Sequence, residues 1–369
     1  MPELIPNRNI EDFSEATLSI NLSSIEHNYN ILKSIANGAI CSAVVKANAY
    51  GLGVEQVSKR LVQAGCNNFF VAHLNEGIEL REIIGDNHNI YILHGLKRNQ
   101  QAAFHKHNLI PVLNFMEQIK LWNDYARELS TNLPAIIHID TGMNRLGLNI
   151  ADAEDLARNK SLLSHIDTKF IMSHLACASE PNDQMNAEQL EKFDSVRKLF
   201  PDIPATLSNS AGILLNDDYH FEMVRPGISL YGGGNRPKNV DIKNVVDLKS
   251  SILQIRNIDS DQTVGYGATR TVKAGSRIAT IPIGYADGYL RSLGNNSYLH
   301  IDDVKIPVIG RVSMDMVIAD ITGIDNITVN SKVEILGENC TINSIAELAE
   351  TISYEILTNL GSRYNRVYI

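Results

Sequence analysis

The chain has 369 residues, of which 44% are hydrophobic, so it is long enough for about two domains with substantial cores. Its net charge of −9, with lysines and arginines scattered along the sequence, argues against nucleic acid and anionic membranes as partners. With no membrane-length apolar stretch, no recognisable signal peptide and four widely spaced cysteines, we expect a cytoplasmic protein with free thiols and no metal site.

The first predicted elements are a strand and a helix. Residues 17–22 are strand-like, but they precede the repeating pattern that follows and are expected to lie outside it. Ser23 and Glu26 have the spacing of a capping box, which predicts a helix starting there. Apolar residues recur on one face of this helix until Asn37-Gly38 ends it.

From residue 43 onward, strand-like and helix-like segments alternate. The predicted strands are residues 43–46, 69–72, 90–93, 110–113, 135–140, 169–173, 205–208 and 221–224, and segments such as 76–84, 115–129 and 187–200 predict helices between them. Eight such units over about 200 residues predict a closed (β/α)8 TIM-type barrel, with an open doubly wound sheet as the alternative.

The pattern changes after the loop-rich segment that begins at Gly232. Short strand-like segments follow at residues 248–255, 277–281, 305–309, 317–320 and 332–336, with one helix-like segment at 344–352. The fold class is therefore α/β, a barrel followed by a mainly β C-terminal domain, and we place the two domains at residues 1–236 and 237–369.

Lys46 is the most informative single residue. It follows the apolar run Ala43-Val44-Val45 and precedes a loop of small residues. A lysine at the end of a buried strand loses hydration, which favours the neutral amine unless a charge partner is present. A neutral amine can form a Schiff base with an aldehyde such as pyridoxal phosphate (PLP), whereas the alternative is a lysine that merely reaches solvent.

Other polar residues fall at the same predicted face, because the carboxyl ends of barrel strands and the loops after them carry the chemistry. In strand order they are Arg145, His174, Asn209 with Ser210, and Arg225 with Gly227 and Ile228. Each alone could be a surface arginine, a buried histidine or a helix cap. The last two groups, however, follow strands seven and eight, the usual phosphate site of a barrel.

Several short segments carry a resemblance to a known family. They are AVVKANAYG (43–51), DTGMNRLG (140–147), RPGI (225–228), LYG (230–232), VGYGAT (264–269), PIGYADG (282–288) and GRVSMD (310–315). In this order they make the chain resemble alanine racemases, PLP-dependent enzymes of fold-type III, over essentially its full length. The resemblance implies a PLP-binding barrel, a β-rich C-terminal domain that packs with the early strand near 17–22, and a head-to-tail homodimer.

The resemblance also implies a reaction, the racemisation of alanine, which would supply D-alanine for peptidoglycan. Two acid–base groups would act on opposite faces of the substrate, Lys46 from one subunit and Tyr266 from the other. A free phenol has a pKa near 10, so Tyr266 would need help from His174, which contacts Arg225 in the family pattern. Arg225 would face the pyridine nitrogen of PLP and keep it unprotonated, which argues against a decarboxylase.

The remaining matched positions are implied contacts. Tyr50, Ser210, Gly227, Ile228 and Tyr354 would bind the cofactor phosphate, with Asn209 beside them; Arg145 and the Met314 backbone N–H would bind the substrate carboxylate; Tyr285 and Asp315 would line the entrance or the wall. A racemase for serine or for many amino acids, and a PLP-binding protein without turnover, are the alternatives.

One position departs from the family pattern. His138 stands where many relatives carry a lysine, often carbamylated, that helps to hold the substrate-binding arginine. A histidine cannot become a lysine carbamate. We therefore expect Arg145 to be held by a bound anion such as chloride or by a neighbouring side chain.

Overall fold

The computed structural model describes residues 14–369. Its strands are β1 (Ala16–Ile20), β2 (Ile40–Cys41), β3 (Ala43–Val44), β4 (Asn68–Val71), β5 (Asn89–Ile92), β6 (Ile110–Leu113), β7 (Leu133–His138), β8 (Ile166–Met172), β9 (Ala205–Asn209), β10 (Met223–Arg225), β11 (Val246–Ser251), β12 (Gln254–Asn257), β13 (Gln262–Val264), β14 (Arg270–Val272), β15 (Arg277–Ile281), β16 (Tyr298–Ile301), β17 (Val304–Pro307), β18 (Val317–Asp320), β19 (Lys332–Leu336) and β20 (Asn365–Tyr368).

The α-helical segments are α1 (Leu22–Ile35), α2 (Lys46–Tyr50), α3 (Val54–Gln63), α4 (Leu74–Ile84), α5 (Gln101–Lys106), α6 (Met116–Glu128), α7 (Ile150–Arg158), α8 (Gln184–Arg197), α9 (Ser210–Ile213), α10 (Ile342–Leu348) and α11 (Ser353–Thr358). Short 3-10 helices are Lys160–Leu163, Asp217–Tyr219, Ile228–Tyr231, Tyr266–Ala268, Tyr285–Asp287 and Arg291–Leu293. None of the described helices is long and apolar enough to cross a membrane.

The described chain divides into two compact units. One, the barrel unit, comprises Ile25–Leu230 and Gly234–Ile242. The other, the β unit, comprises the described residues up to Ser24, with Tyr231–Gly233 and Lys243–Ile369.

The barrel unit is built on one parallel sheet in the order β2-β10-β9-β8-β7-β6-β5-β4-β3. β2 and β3 are two halves of one extended segment separated by Ser42. β2 pairs with β10 and β3 pairs with β4, so the sheet closes on itself. β4 and β6 are buried at every residue, as strands covered on both faces require. The TIM-type barrel is thereby confirmed, and the open doubly wound sheet is wrong.

The first helix does not start as predicted. α1 begins at Leu22, and Asn21 Oδ1 accepts a hydrogen bond from the Ser24 N–H at 2.8 Å. Asn21 is a strong N-cap residue two residues before the predicted cap, so Ser23 lies inside the helix and the predicted capping box is wrong. Glu26 instead pairs with Arg60 at 3.1 Å.

The β unit contains a six-stranded sheet in the order β17-β16-β19-β11-β1-β20, a three-stranded sheet β12-β15-β18 and the hairpin β13-β14. β1, which covers most of the predicted early strand, pairs antiparallel with β11 and parallel with β20. The mainly β character predicted for the C-terminal domain is confirmed.

Candidate active site

Lys46 opens a left-handed turn just beyond the first barrel strand. The four residues after it, Ala47 to Tyr50, have φ values between 52° and 56°. A left-handed conformation costs an L-residue about 1–2 kcal/mol, so four in succession need support from outside the turn. The strand itself ends at Val44, two residues before the lysine.

Two side chains support this turn. Glu76, from the first turn of α4, accepts a hydrogen bond from the Ala47 N–H at 2.6 Å through Oε1. Asn48 Oδ1 accepts one from the Val54 N–H at 2.7 Å, at the start of α3. Glu76 was missed by the sequence reasoning, because an acidic residue in the first turn of a helix is common for purely local reasons.

The Lys46 amine is half-buried, and burial is the main cause that lowers its pKa. The positive charge of Arg145 lowers the pKa further, and the negative charge of Glu76 opposes both effects. The neutral amine is therefore favoured relative to an exposed lysine, as its place beside a buried strand predicts.

Arg225 is a buried cation without an acidic partner among the described residues. Its guanidinium donates to Thr206 Oγ1 at 2.5 Å, to the carbonyl oxygens of Ser173 at 2.6 Å and Leu207 at 3.1 Å, and to His174 Nδ1 at 3.4 Å. Burial lowers its pKa to about 9, so it remains charged at neutral pH. All four acceptors around the Arg225 guanidinium are neutral. A further neutral acceptor could therefore bind one of the guanidinium N–H groups that has no partner among them.

The same contact defines the state of His174. A guanidinium has only donors, so Nδ1 of His174 must be the acceptor and the ring proton lies on Nε2. Burial and the charge of Arg225 hold the pKa of His174 well below its ordinary value of 6.5. His174 is therefore a neutral imidazole with an Nε2–H to donate.

His138 is also a neutral histidine. Its Nδ1 lies 2.7 Å from Asn114 Oδ1, and the Asn114 amide donates to Leu93 O and Val112 O, which identifies Oδ1 as the acceptor. Burial, helped by Arg225, lowers the pKa of His138 to about 3. This residue therefore supplies no negative charge for Arg145.

Arg145 lies exposed at the tip of the loop after β7. Asp140 Oδ1 shapes this loop by accepting from the N–H groups of Gly142 at 2.9 Å and Asn144 at 3.1 Å. Across residues 14–369, no side chain accepts a hydrogen bond from Arg145 or forms an ion pair with it. The described chain supplies no such neighbouring side chain, so what holds Arg145, a bound anion or a side chain, stays a prediction.

The ends of β9 and β10 form a close cradle. Ser210 Oγ accepts from the N–H groups of Gly227 at 2.8 Å and Ser229 at 3.2 Å, which leaves its own hydrogen to donate elsewhere. A Cβ on Gly227 would overlap Tyr50 Oη, so a larger residue there would force the Tyr50 side chain to move. Asn209 caps α9 by accepting from the Gly212 N–H at 2.9 Å. Three predicted phosphate contacts, Tyr50, Ser210 and Gly227, thus converge at one place.

The other predicted site residues belong to the β unit. Tyr266 lies in the short loop between β13 and β14, and it is 73% exposed. Arg311 packs against Gly267 of this loop, where a Cβ would lie 2.9 Å from the guanidinium. Tyr354, in α11, is 39% exposed, and partial burial raises its pKa.

Tyr285 and Met314 lie on two loops that are hydrogen-bonded to each other. The Tyr285 N–H donates to Ser313 O at 3.1 Å, and the Ala286 N–H donates to Met314 O at 3.0 Å. The Met314 N–H donates to no group within the described part of the chain, so it is available to a substrate.

Arg363, which the sequence reasoning missed, links these two loops through its hydrogen bonds. It pairs with Asp287 through two bonds at 2.7 and 2.8 Å, and with Asp315 at 2.8 Å. Asp315, predicted near the site wall, is thus one of two carboxylates that Arg363 holds together.

Comparisons with known proteins agree with this geometry. Residues 20–235 match the family model described as "Alanine racemase, N-terminal domain", and residues 245–368 match "Alanine racemase, C-terminal domain". The alanine racemase of Rickettsia canadensis (strain McKiel) is 43% identical over 357 residues, which cover 96% of this chain and 99% of the relative.

Solved structures of alanine racemases are also similar to this chain. The one from Bartonella henselae, with covalently bound pyridoxal phosphate, has a TM-score of 0.92 at 37% identity and covers 96% of this chain and 100% of its own. The biosynthetic one from Pseudomonas aeruginosa has a TM-score of 0.89 at 31% identity, with coverage of 97% and 100%.

Proposed function

The chain belongs to the alanine racemase family, and we propose that it interconverts L-alanine and D-alanine with Lys46 and Tyr266 as its two acid–base groups. The family is PLP-dependent, and so is this enzyme. The observation that carries the residue assignment is the left-handed turn that holds Lys46, half-buried and with its pKa lowered by burial, at the strand ends of the barrel.

The residues of the barrel unit fit PLP. A buried arginine without an acidic partner can face the pyridine nitrogen, which is a neutral acceptor. The Ser210 hydroxyl and the Gly227 backbone lie in a cradle that a Cβ would fill, which suits a phosphate group. When bound, PLP supplies an electron-withdrawing ring that makes the α-proton of the substrate acidic.

The protein side chains then hold and move protons. The Nζ of Lys46 accepts the α-proton on one face of the substrate as the neutral amine and returns it as the ammonium. Tyr266 Oη does so on the other face, and the Nε2–H of His174 stabilises its deprotonated form by hydrogen bonding. Arg145 and the Met314 N–H hold the substrate carboxylate, which orients the α-carbon between the two bases.

We further propose that Tyr266 acts in the site of a second copy, in a head-to-tail homodimer. The β unit exposes several large apolar side chains, among them Leu253 by 53%, Met314 by 53% and Met316 by 41%. Tyr266, Arg311, Ser313 and Met316 line one cavity of about 550 Å³. Exposed large apolar side chains at a cavity are typical of an interaction site, and a second barrel is the occupant that would bring Tyr266 to a Lys46.

Mixing two inactive variants tests both proposals. Lys46→Ala and Tyr266→Phe should each be inactive as homodimers. After the two are mixed and allowed to exchange subunits, each mixed dimer has one site with both natural residues, so about a quarter of the wild-type activity should return. No recovery, with subunit exchange confirmed by mass spectrometry, would contradict a site shared between copies.

Membership of the family supports a proposal for the cellular role. We propose that the enzyme works in the cytoplasm and supplies D-alanine for peptidoglycan. Depleting it should make growth depend on added D-alanine, and fractionation should recover it with cytoplasmic markers. Growth of the depleted cells without added D-alanine would refute this role, but it would not contradict the roles assigned to Lys46 and Tyr266.

A further inference from the structure

We propose that Glu76 is a positioning residue for racemisation: its carboxylate fastens the left-handed turn behind Lys46 and places a negative charge beside the lysine amine. The inference rests on the proposed acid–base role of Lys46.

The contacts of Glu76 join the ends of two neighbouring strands. Oε1 accepts from the Ala47 N–H at 2.6 Å, just beyond β3. Oε2 accepts from the N–H groups of Ala72 at 2.8 Å and His73 at 2.9 Å, just beyond β4. Because β3 and β4 are paired parallel strands, this one carboxylate crosses the gap between their carboxyl ends. It cannot rotate away without leaving three backbone donors without their partner.

The turn needs such a clamp. Alanine has no preference for left-handed backbone, yet Ala47 and Ala49 both adopt it, at φ 53° and 52°. The Ala47 N–H is the first donor of the turn, directly after Lys46. Its bond to Glu76 therefore acts at the residue where the backbone becomes left-handed. Without this bond, the turn is free to relax toward ordinary backbone, and the Lys46 side chain moves with it.

Charge gives Glu76 a second effect. The described titratable and charged groups that act on Lys46 are Arg145, His94, His174 and Glu76. Arg145 is cationic and the histidines can only become so, whereas Glu76 is the anion among them. Removing the carboxylate charge therefore disfavours the lysine ammonium, and it favours the amine that accepts a proton.

In the PLP-loaded enzyme, two variants and a control separate the effect of the Glu76 hydrogen bonds on the turn from the effect of its charge on Lys46. Glu76→Gln removes the charge and one acceptor, whereas Glu76→Asp keeps the charge but shortens the reach. Glu79→Gln removes the same charge from an exposed position of the same helix. Backbone hydrogen exchange of residues 46–54 reports the clamp, and the pH profile of kcat in the direction that uses Lys46 as base reports the charge.

In Glu76→Gln, exchange at Ala47 should rise on the order of tenfold. The acidic limb of the kcat profile should move to lower pH by roughly half a unit or more. Glu76→Asp should speed exchange and leave the limb in place, and Glu79→Gln should change neither.

The proposal is overturned if either hydrogen exchange or the acidic limb of the kcat profile is unchanged in Glu76→Gln. If Glu76→Gln does not fold, unchanged hydrogen exchange in Glu76→Asp overturns it. Absence of turnover in the wild-type enzyme would instead overturn the proposed function. The hydrogen-exchange data would still show whether Glu76 holds the left-handed turn.

Discussion

Replacing Ala47 by glycine should leave the protein as stable or make it more stable, which is the reverse of what glycine does in an ordinary helix. Ala47 is exposed and lies at φ 53°, so glycine removes a left-handed penalty of about 1–2 kcal/mol. Against this stands the greater backbone freedom of glycine in the unfolded chain, about 0.5–1 kcal/mol. The net effect is a gain of about 0 to 1.5 kcal/mol.

Ala187→Gly is the matched control, because Ala187 is also exposed, lies in the right-handed helix α8 and belongs to the same unit. Glycine there should cost about 1 kcal/mol. For a unit of this size, Tm should fall by about 2–4 °C in the control and should hold or rise in Ala47→Gly. Thermal unfolding of the PLP-loaded proteins at one concentration measures both. An equal fall in Tm for both variants would refute the left-handed conformation as the native state of this turn.

Two further predictions concern buried charge. Between pH 6.5 and about 3 the unfolded chain protonates His138 while the native state does not, so stability falls as the pH falls through this window. At pH 5 the loss in free energy of unfolding from His138 is about 2 kcal/mol. The loss between pH 8 and pH 5 should therefore be smaller by that amount in His138→Gln, and it should be unchanged in the exposed control His105→Gln. Equal losses in the wild type and His138→Gln would contradict the prediction. In the β unit, Arg363→Met leaves the 6% exposed Asp287 side chain unpaired and should cost about 2–3 kcal/mol, because the half-exposed arginine reduces the cost of a fully buried pair. Asp315→Asn breaks only the exposed pair and should cost less than about 1 kcal/mol in urea unfolding, so similar losses would disprove the distinction.

The elements that the sequence predicted well are those with a continuous signal. Barrel strands such as β6 are short apolar runs bounded by helices, and their order along the chain leaves a closed parallel sheet as the simplest arrangement. The carboxyl ends of such strands lie on one face of the barrel. The sequence alone therefore predicts that Arg225, His174 and Ser210 lie close together.

What could not be predicted depends on conformations and partners that leave no local pattern. A run of Ala47, Asn48 and Ala49 favours ordinary backbone, and nothing in it signals a left-handed turn. Glu76 and Arg363 resemble ordinary surface charges until the fold brings their distant partners beside them, at Ala47 and Asp287. The boundary of α1 was missed because two neighbouring polar residues, Asn21 and Ser23, are both good caps.

The interrupted first strand of the barrel has a consequence for synthesis. β2 is the first half of the interrupted strand that leads to Lys46, and its partner is β10, which the ribosome makes last among the barrel strands. A nascent chain therefore displays Lys46 long before the Ser210 and Arg225 segments that complete its surroundings have been translated. Until β10 docks, β2 is an open strand edge that other nascent chains can pair with. Capture of PLP thus becomes an event at the end of barrel synthesis, and a chain stalled before Met223 would present the lysine without the cradle.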